Sequence, residues 1–229
     1  MESYNWLLDV LEMLKPVYGL KDAPRAWRIK LDQSLRAAGG VPLHTDAALY
    51  VWWENSVLIM IVSAHVDDLK GCGRQDVVDK LLLALTEEFG KLKTSWNSFE
   101  HCGLKYERDV QNNTLAIHQN HYAAQLKLFD PTILALPSQT PLTLIALAQV
   151  LSLLGAVAWL IQARLEVVIY VCALQRSAKS PRVEHAQRLN KVVKWVKRKS
   201  SRLFYKLLQT PCRVVVVSDS AFRKNVFKD

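Results

Sequence analysis

The run Val57–Asp68, VLIMIVSAHVDD, constrains this chain more than any other stretch. Val57–Val62 is apolar, mostly β-branched and free of Gly or Pro, a pattern that predicts a strand buried on both faces. Asp67 and Asp68 end the run, and Leu69-Lys70-Gly71-Cys72-Gly73 leads the chain away. Neighbouring residues inside a strand point to opposite faces, so two adjacent aspartates can serve one site only at the tip of a hairpin. Carboxylates held that closely repel each other, and divalent cations relieve the repulsion, as in two-metal phosphoryl-transfer sites. A plain polar turn is the alternative, because Asp is favoured in turns. These residues alone leave both readings open.

The size of the chain, 229 residues, allows one large domain or two small ones. Half of it is hydrophobic and 22% is charged, which excludes a disordered chain. A net charge of +9 favours a polyanionic partner, nucleic acid before membrane. Cys72, Cys102, Cys172 and Cys212 lie far apart with no CxxC pair, which argues for reduced thiols in an intracellular protein rather than a disulfide framework or zinc knuckle. Acidic residues and the lack of a basic flank in MESYNWLLDVLEML argue against a signal peptide.

Ser3–Leu14 has helical spacing, with Trp6, Leu7, Val10, Leu11 and Leu14 recurring on one side until Lys15-Pro16. Next comes Val17-Tyr18-Gly19-Leu20-Lys21-Asp22-Ala23-Pro24-Arg25-Ala26-Trp27. Gly19 permits close backbone approach, Asp22 can cap, and Pro24 suits a first helical turn. A helix should then run to about Ala38, with Trp27, Leu31 and Leu35 on one face and Gly39-Gly40 as its stop. Leu49–Trp53 should be a strand, turning through Glu54-Asn55-Ser56 into Val57–Val62. Gln75–Phe89 reads as a helix with Val77, Val78, Leu81, Leu82 and Leu85 inward. Phe99–Val110 and Thr114–His118 read as a hairpin around Asn112-Asn113.

YGLKDAPRAW followed by a VDD hairpin resembles the reverse transcriptase of copia-type retrotransposons, an RNA-directed DNA polymerase. That family reads LYGLKQAPRAW, then DxxLF, then YVDD; Asp46-Ala47-Ala48-Leu49-Tyr50 fits the middle element. Downstream, GLKYERD (103–109) resembles GIEIERD, and LAIHQNHY (115–122) resembles LSQxxY. Ser152-Leu153-Leu154-Gly155 with Trp159, Gln162 and Arg164 is similar to SLVGSLLYLAQTTRPD. Ser180–His185 is similar to NPTEEH, and Ser218-Asp219-Ser220-Ala221 to SDAD. The echoes run in order from about Lys15 to Ala221.

Pro131, Pro137 and Pro141 suggest a linker at 131–141. Beyond it, Leu142–Ile161 is apolar enough to raise a transmembrane reading, but Gln149, Ser152 and the following Gln162-Ala163-Arg164 favour a pair of buried helices, 143–162 and 165–178, and no membrane. Between Arg176 and Lys206 stand eleven Lys or Arg and one Glu. A helix starting at Ser180-Pro181 would carry Leu189, Val192, Val193 and Val196 inward and Lys191, Lys194, Lys197 and Arg198 outward. That outer face is either solvated surface or a contact for phosphates. Leu203–Leu207 and Arg213–Val217 read as strands.

The resemblance implies an α+β chain: a partial polymerase palm and thumb region, antiparallel sheet with helices, at 1–130; a helical connection at 142–200; and the first strands of a ribonuclease H-like fold at 201–229. It implies Asp67 and Asp68 as catalytic and Mg²⁺-binding residues, and Asp219 as the first, vestigial ligand of a second metal site. Tyr18, Gly19, Lys21 and Arg25 would lie beside the incoming deoxynucleoside triphosphate; the near absence of acidic partners, independently of the resemblance, points Lys191, Lys194, Lys197 and Arg198 towards an RNA–DNA hybrid or duplex. The family's YVDD tyrosine is His65 here. Its third aspartate stands well upstream of YGLK, where Met1–Leu14 offers only Glu2, Asp9 and Glu12. The expectation is a polymerase fragment without fingers or first aspartate, inactive by itself; the alternative is a non-catalytic nucleic-acid-binding module using the basic 180–206 segment.

Overall fold

The computed structural model describes residues 19–208. The expected helix Ser3–Leu14 and strand Arg213–Val217 lie outside the described residues. The chain is α+β, with two antiparallel four-stranded sheets, and it divides into compact units between Ser95 and Trp96.

In the first unit, α1 (Ala23–Ala37) is followed by β1 (Val41–Pro42), β2 (Leu49–Glu54), β3 (Val57–His65), β4 (Asp68–Gly73) and α2 (Gln75–Phe89). Asp22 occupies the N-cap position of α1 without a side-chain cap bond, so Pro24 in the first turn carries the start signal. At the other end Gly39 takes φ +90 and Gly40 lies under Trp52, where a Cβ would come within 2.7 Å of the ring. Trp52 Nε1 donates to the Ala38 carbonyl at 2.8 Å, which pins the end of α1 to β2.

The sheet runs β1-β2-β3-β4 with every pair antiparallel. The β2–β3 turn consists of Asn55 and Ser56, both at positive φ, a type I′ pattern that suits the right-handed strand twist. The expectation that Val57–Val62 is buried on both faces is not met. Met60, Val62 and Ala64 are buried, Ile59, Ile61 and Ser63 are half-buried, and Val57 and Leu58 are exposed. Both helices lie on one face, where Leu31, Leu35, Tyr50, Trp52, Met60, Val62, Ala64, Leu81 and Leu85 form the core. Antiparallel sheets tolerate one wetter face, and this one has it.

In the second unit β5 (Ser98–His101), β6 (Leu104–Asp109), β7 (Thr114–His118) and β8 (Leu203–Lys206) form an antiparallel sheet in that order. The expected single strand Phe99–Val110 is two strands, because Cys102 and Gly103 at positive φ turn the chain back. The β6–β7 turn sits at Asn112-Asn113 as anticipated, with Asp109 Oδ1 accepting from the backbone of Gln111 and Asn112. Among the described residues five α-helices follow β7: α3 (Asn120–Gln125), α4 (Pro131–Leu134), α5 (Leu144–Trp159), α6 (Val168–Gln175) and α7 (Val183–Arg198).

Three expectations change here. The proline segment 131–141 lies inside this unit: Pro131 opens α4, and Pro141 bridges to Arg182. Prolines mark chain direction changes, and here the changes fall on the surface of one compact unit, with Ile133 and Leu134 half-buried against its core. α7 begins at Val183: Arg182 is extended at the N-cap position, and His185 Nδ1 accepts from the Arg182 N–H at 2.9 Å. β8, expected to open a ribonuclease H-like unit, instead pairs with β7, Leu203 opposite Ile117 and Lys206 opposite Thr114.

α5 continues as a 3₁₀ turn, and Leu144–Gln162 is long and apolar enough to cross a membrane. Its Ala146, Val150, Leu154 and Val157 nevertheless pack in the core with Val171, Leu189 and Val193, while Leu144, Ile145 and Trp159 are exposed. The expected buried helix is therefore buried along one stripe. Arg164 is fully buried beneath the end of α7: it donates to the Val196 carbonyl at 2.8 Å and to Glu166 Oε1 at 2.9 Å. A guanidinium at a helix C-terminus complements the helix dipole, and the carboxylate offsets part of its desolvation.

Tyr50 supplies a test of the first core. Its hydroxyl donates to Asp32 Oδ1 at 2.6 Å, and burial together with that bond pushes the phenol up to about 12. The same bond holds the Asp32 carboxyl below its ordinary value. The fold favours neutral Tyr50, so this contribution is complete below about pH 10 and disappears as pH rises towards 12. Thermal melts of the native chain and Tyr50→Phe should differ by about 1 kcal/mol at pH 8 and converge above pH 11. A gap that stays constant through this range would contradict the assignment.

Candidate functional site

β3 and β4 are joined by a two-residue turn, Val66-Asp67, flanked by the pair His65 and Asp68. The inward residues of β3 fix which way the hairpin faces. Ala64 is buried and opposite Leu69, which packs against the same core, so alternation puts His65 and Asp68 on the face away from the helices. His65, Val66, Asp67 and Asp68 are all exposed. The acidic pair thus stands at the tip of a hairpin that includes the interior strand β3.

Val66 adopts φ +51, a conformation costly for a β-branched side chain, on the order of 1–3 kcal/mol. Its carbonyl accepts a hydrogen bond from Trp27 Nε1 at 2.9 Å. Trp27 in turn lies 5.0 Å, centroid to centroid, from the ring of Phe89, the last residue of α2. Trp27 thus ties the APRAW segment to the VDD turn, a link that sequence reasoning missed by assigning this residue only to the apolar face of α1. The signal was available in part: an indole N–H at a half-buried position needs an acceptor.

Gly19 takes φ +93 with open space around it, and Lys21 and Arg25 are exposed at the start of α1. Tyr18, Asp9 and Asp219 lie outside the described residues. Among the described residues, no three His, Cys, Asp or Glu side chains come together to hold a metal ion. Mg²⁺ keeps several waters and is typically held by one or two carboxylates together with substrate phosphates, and Asp67 and Asp68 offer oxygens of that kind.

The basic helix is in the other unit. Lys191, Lys194 and Arg198 are exposed and follow a spacing that keeps them on one side of α7, opposite the buried Leu189, Val192, Val193 and Val196. Lys197 leaves this row: its Nζ donates to the Leu126 carbonyl at 2.7 Å. It therefore fastens α7 to the segment after α3, a role that helical spacing cannot reveal. Glu184, the single acid of the segment, pairs with Arg188 at 3.0 Å, one turn before the row.

No family model and no solved structure matches the chain. Curated relatives do. The chain is 32% identical over 135 residues to the retrovirus-related Pol polyprotein from transposon RE2 of Arabidopsis thaliana, covering 58% of this chain and 9% of that protein. It is 28% identical over 137 residues to the corresponding polyprotein from transposon TNT 1-94 of Nicotiana tabacum, covering 58% and 10%. With that from transposon RE1 of Arabidopsis thaliana the identity is 26% over 204 residues, 82% of this chain and 13% of the relative. The chain spans about a tenth of the length of these relatives. Its relatives are thus retrotransposon Pol polyproteins, and the chain corresponds to a region of them.

Proposed function

We propose that this chain is the palm-to-connection region of a copia-type RNA-directed DNA polymerase. The observation that carries the reading is Asp67-Asp68 at the tip of the β3–β4 hairpin, joined through Trp27 to the helix that follows Gly19 and Lys21. Asp67 and Asp68 would face the primer end, and Lys21 and Arg25, with Gly19 and Tyr18, the phosphates of an incoming deoxynucleoside triphosphate. Asp219 would belong to the start of a ribonuclease H-like site. In the polymerase family Mg²⁺ completes the site with a third carboxylate; on our reading Asp67 and Asp68 by themselves do not place it for in-line attack, and the 229-residue polypeptide should be silent on its own. The wide spacing of the four cysteines in the sequence, with no CxxC pair, leads us to place the protein in an intracellular setting.

A primed RNA template carrying 4-thiothymidine at the primer 3′ end tests this reading without requiring turnover. On irradiation the primer end should crosslink to the peptide containing Asp67 and Asp68, while no extension occurs with Mg²⁺ and all four nucleotides. Crosslinks confined to other peptides would refute the palm reading, and extension abolished by Asp67→Asn would refute the claim of inactivity.

The exposed row of α7 favours a second role that needs no catalysis: sequence-blind binding of nucleic acid. Lys191 to Arg198 spans roughly 10 Å along the helix, enough for two or three consecutive phosphates. Replacing Lys191, Lys194 and Arg198 by Gln should weaken binding to RNA–DNA duplex and flatten its salt dependence by about two to three units. Lys197→Met should instead lower stability by about 1 kcal/mol and leave that slope nearly unchanged, because its ammonium is already engaged. Equal slopes in the native chain and the triple variant would show that the row is solvated surface.

A further inference from the structure

Among the turns with non-glycine residues at positive φ, the Val66-Asp67 turn is the least suited to its own sequence. Asn55-Ser56 and Asn113 occupy comparable positions with residues that tolerate them; Val66 does so with a β-branched side chain and is itself 71% exposed. Nothing that Val66 buries compensates for the strain. The turn is held from outside the Val66 side chain: the β3–β4 ladder closes up to His65 and Asp68, and the Trp27 indole N–H donates to the Val66 carbonyl within the turn itself. Trp27 has a fixed seat of its own against Phe89.

We propose that Trp27 is the positioning residue of the carboxylate hairpin: by holding the Val66 carbonyl, it fixes the turn on which Asp67 and Asp68 are presented to the primer end. This rests on the palm reading for its purpose but not for its geometry. A tryptophan is suited to the task because its donor sits on a rigid ring with only two side-chain torsions, so packing the ring also aims the N–H. Phenylalanine at position 27 would keep the packing on Phe89 and lose the donor.

Hydrogen exchange of the whole chain tests the proposal. In Trp27→Phe, exchange at His65–Lys70 should rise about tenfold while the rest of the first unit and the melting temperature change little. The crosslink from the primer end to the hairpin should fall at unchanged affinity for the primed template. A purely structural tryptophan would instead raise exchange across α1, α2 and the sheet together and lower the melting temperature, and that result would overturn the proposal. So would unchanged exchange in the hairpin. Should Trp27→Phe fail to fold, the native chain still decides: the Trp27 indole N–H should exchange several-fold more slowly than those of the exposed Trp53 and Trp96, and an equal rate would refute the hydrogen bond. If the native chain never crosslinks to the primer end, the palm reading fails while the exchange result still judges the clamp.

Discussion

The pairing register of β3 with β4 is the constraint on which the first unit depends. Side chains alternate across a strand, so Met60, Val62 and Ala64 enter the core only if their neighbours Ile61, Ser63 and His65 face away from it. β4 is built to that register: Gly71 lies opposite Val62 and Gly73 opposite Met60. A Cβ at Gly71 would come within 2.8 Å of the Val62 side chain, and one at Gly73 within 2.6 Å of Met60. A slip by one residue would bring Asp68 and Lys70 to the helix-covered face, where an unpaired charge costs several kcal/mol. The burial of Met60 and Val62, each worth about 1.5–3 kcal/mol, therefore also decides where the carboxylates stand.

The second unit solves a different problem with one helix. α7 supplies Leu189, Val193 and Val196 to the core, and its last turn receives the buried Arg164 guanidinium at the Val196 carbonyl and the Lys197 bond to Leu126. Trp195 adds its ring 5.2 Å from that guanidinium. The exposed row Lys191, Lys194 and Arg198 is thus mounted on an element anchored along its opposite side. A rigid basic helix keeps its charges at fixed spacing, which favours contact with a regularly spaced polyanion over a mobile tail.

Local pattern made much of this legible. The helices at 23–37 and 75–89, the strands at 49–54 and 57–65, and the stripe of α7 follow from periodicity, because each buries one side against its own unit. What stayed hidden was non-local. Whether β8 begins a new fold or joins β7 depends on an edge left open far back along the chain, at Thr114–His118. The prolines at 131 and 141 look like a linker until their segment is seen within one compact unit, on its surface, with Ile133 and Leu134 packed against the helical core. At Cys102-Gly103 the alternation changes phase, from Phe99 and His101 to Leu104 and Tyr106, a shift too slight to separate the strands until their pairing is seen. Trp27 and Lys197 have the same lesson: spacing told which side of the helix each occupies, but not that a carbonyl waits there.

The palm reading rests on the acidic pair standing at the end of a correctly registered hairpin. Cross-strand proton contacts measured by NMR on the whole chain test this most directly. The account predicts contacts of Ala64 with Leu69 and of Val62 with Gly71, with Val66-Asp67 as the intervening turn. Contacts of Ala64 with Asp68 or Lys70, or a helical pattern of sequential contacts through 57–65, would contradict it.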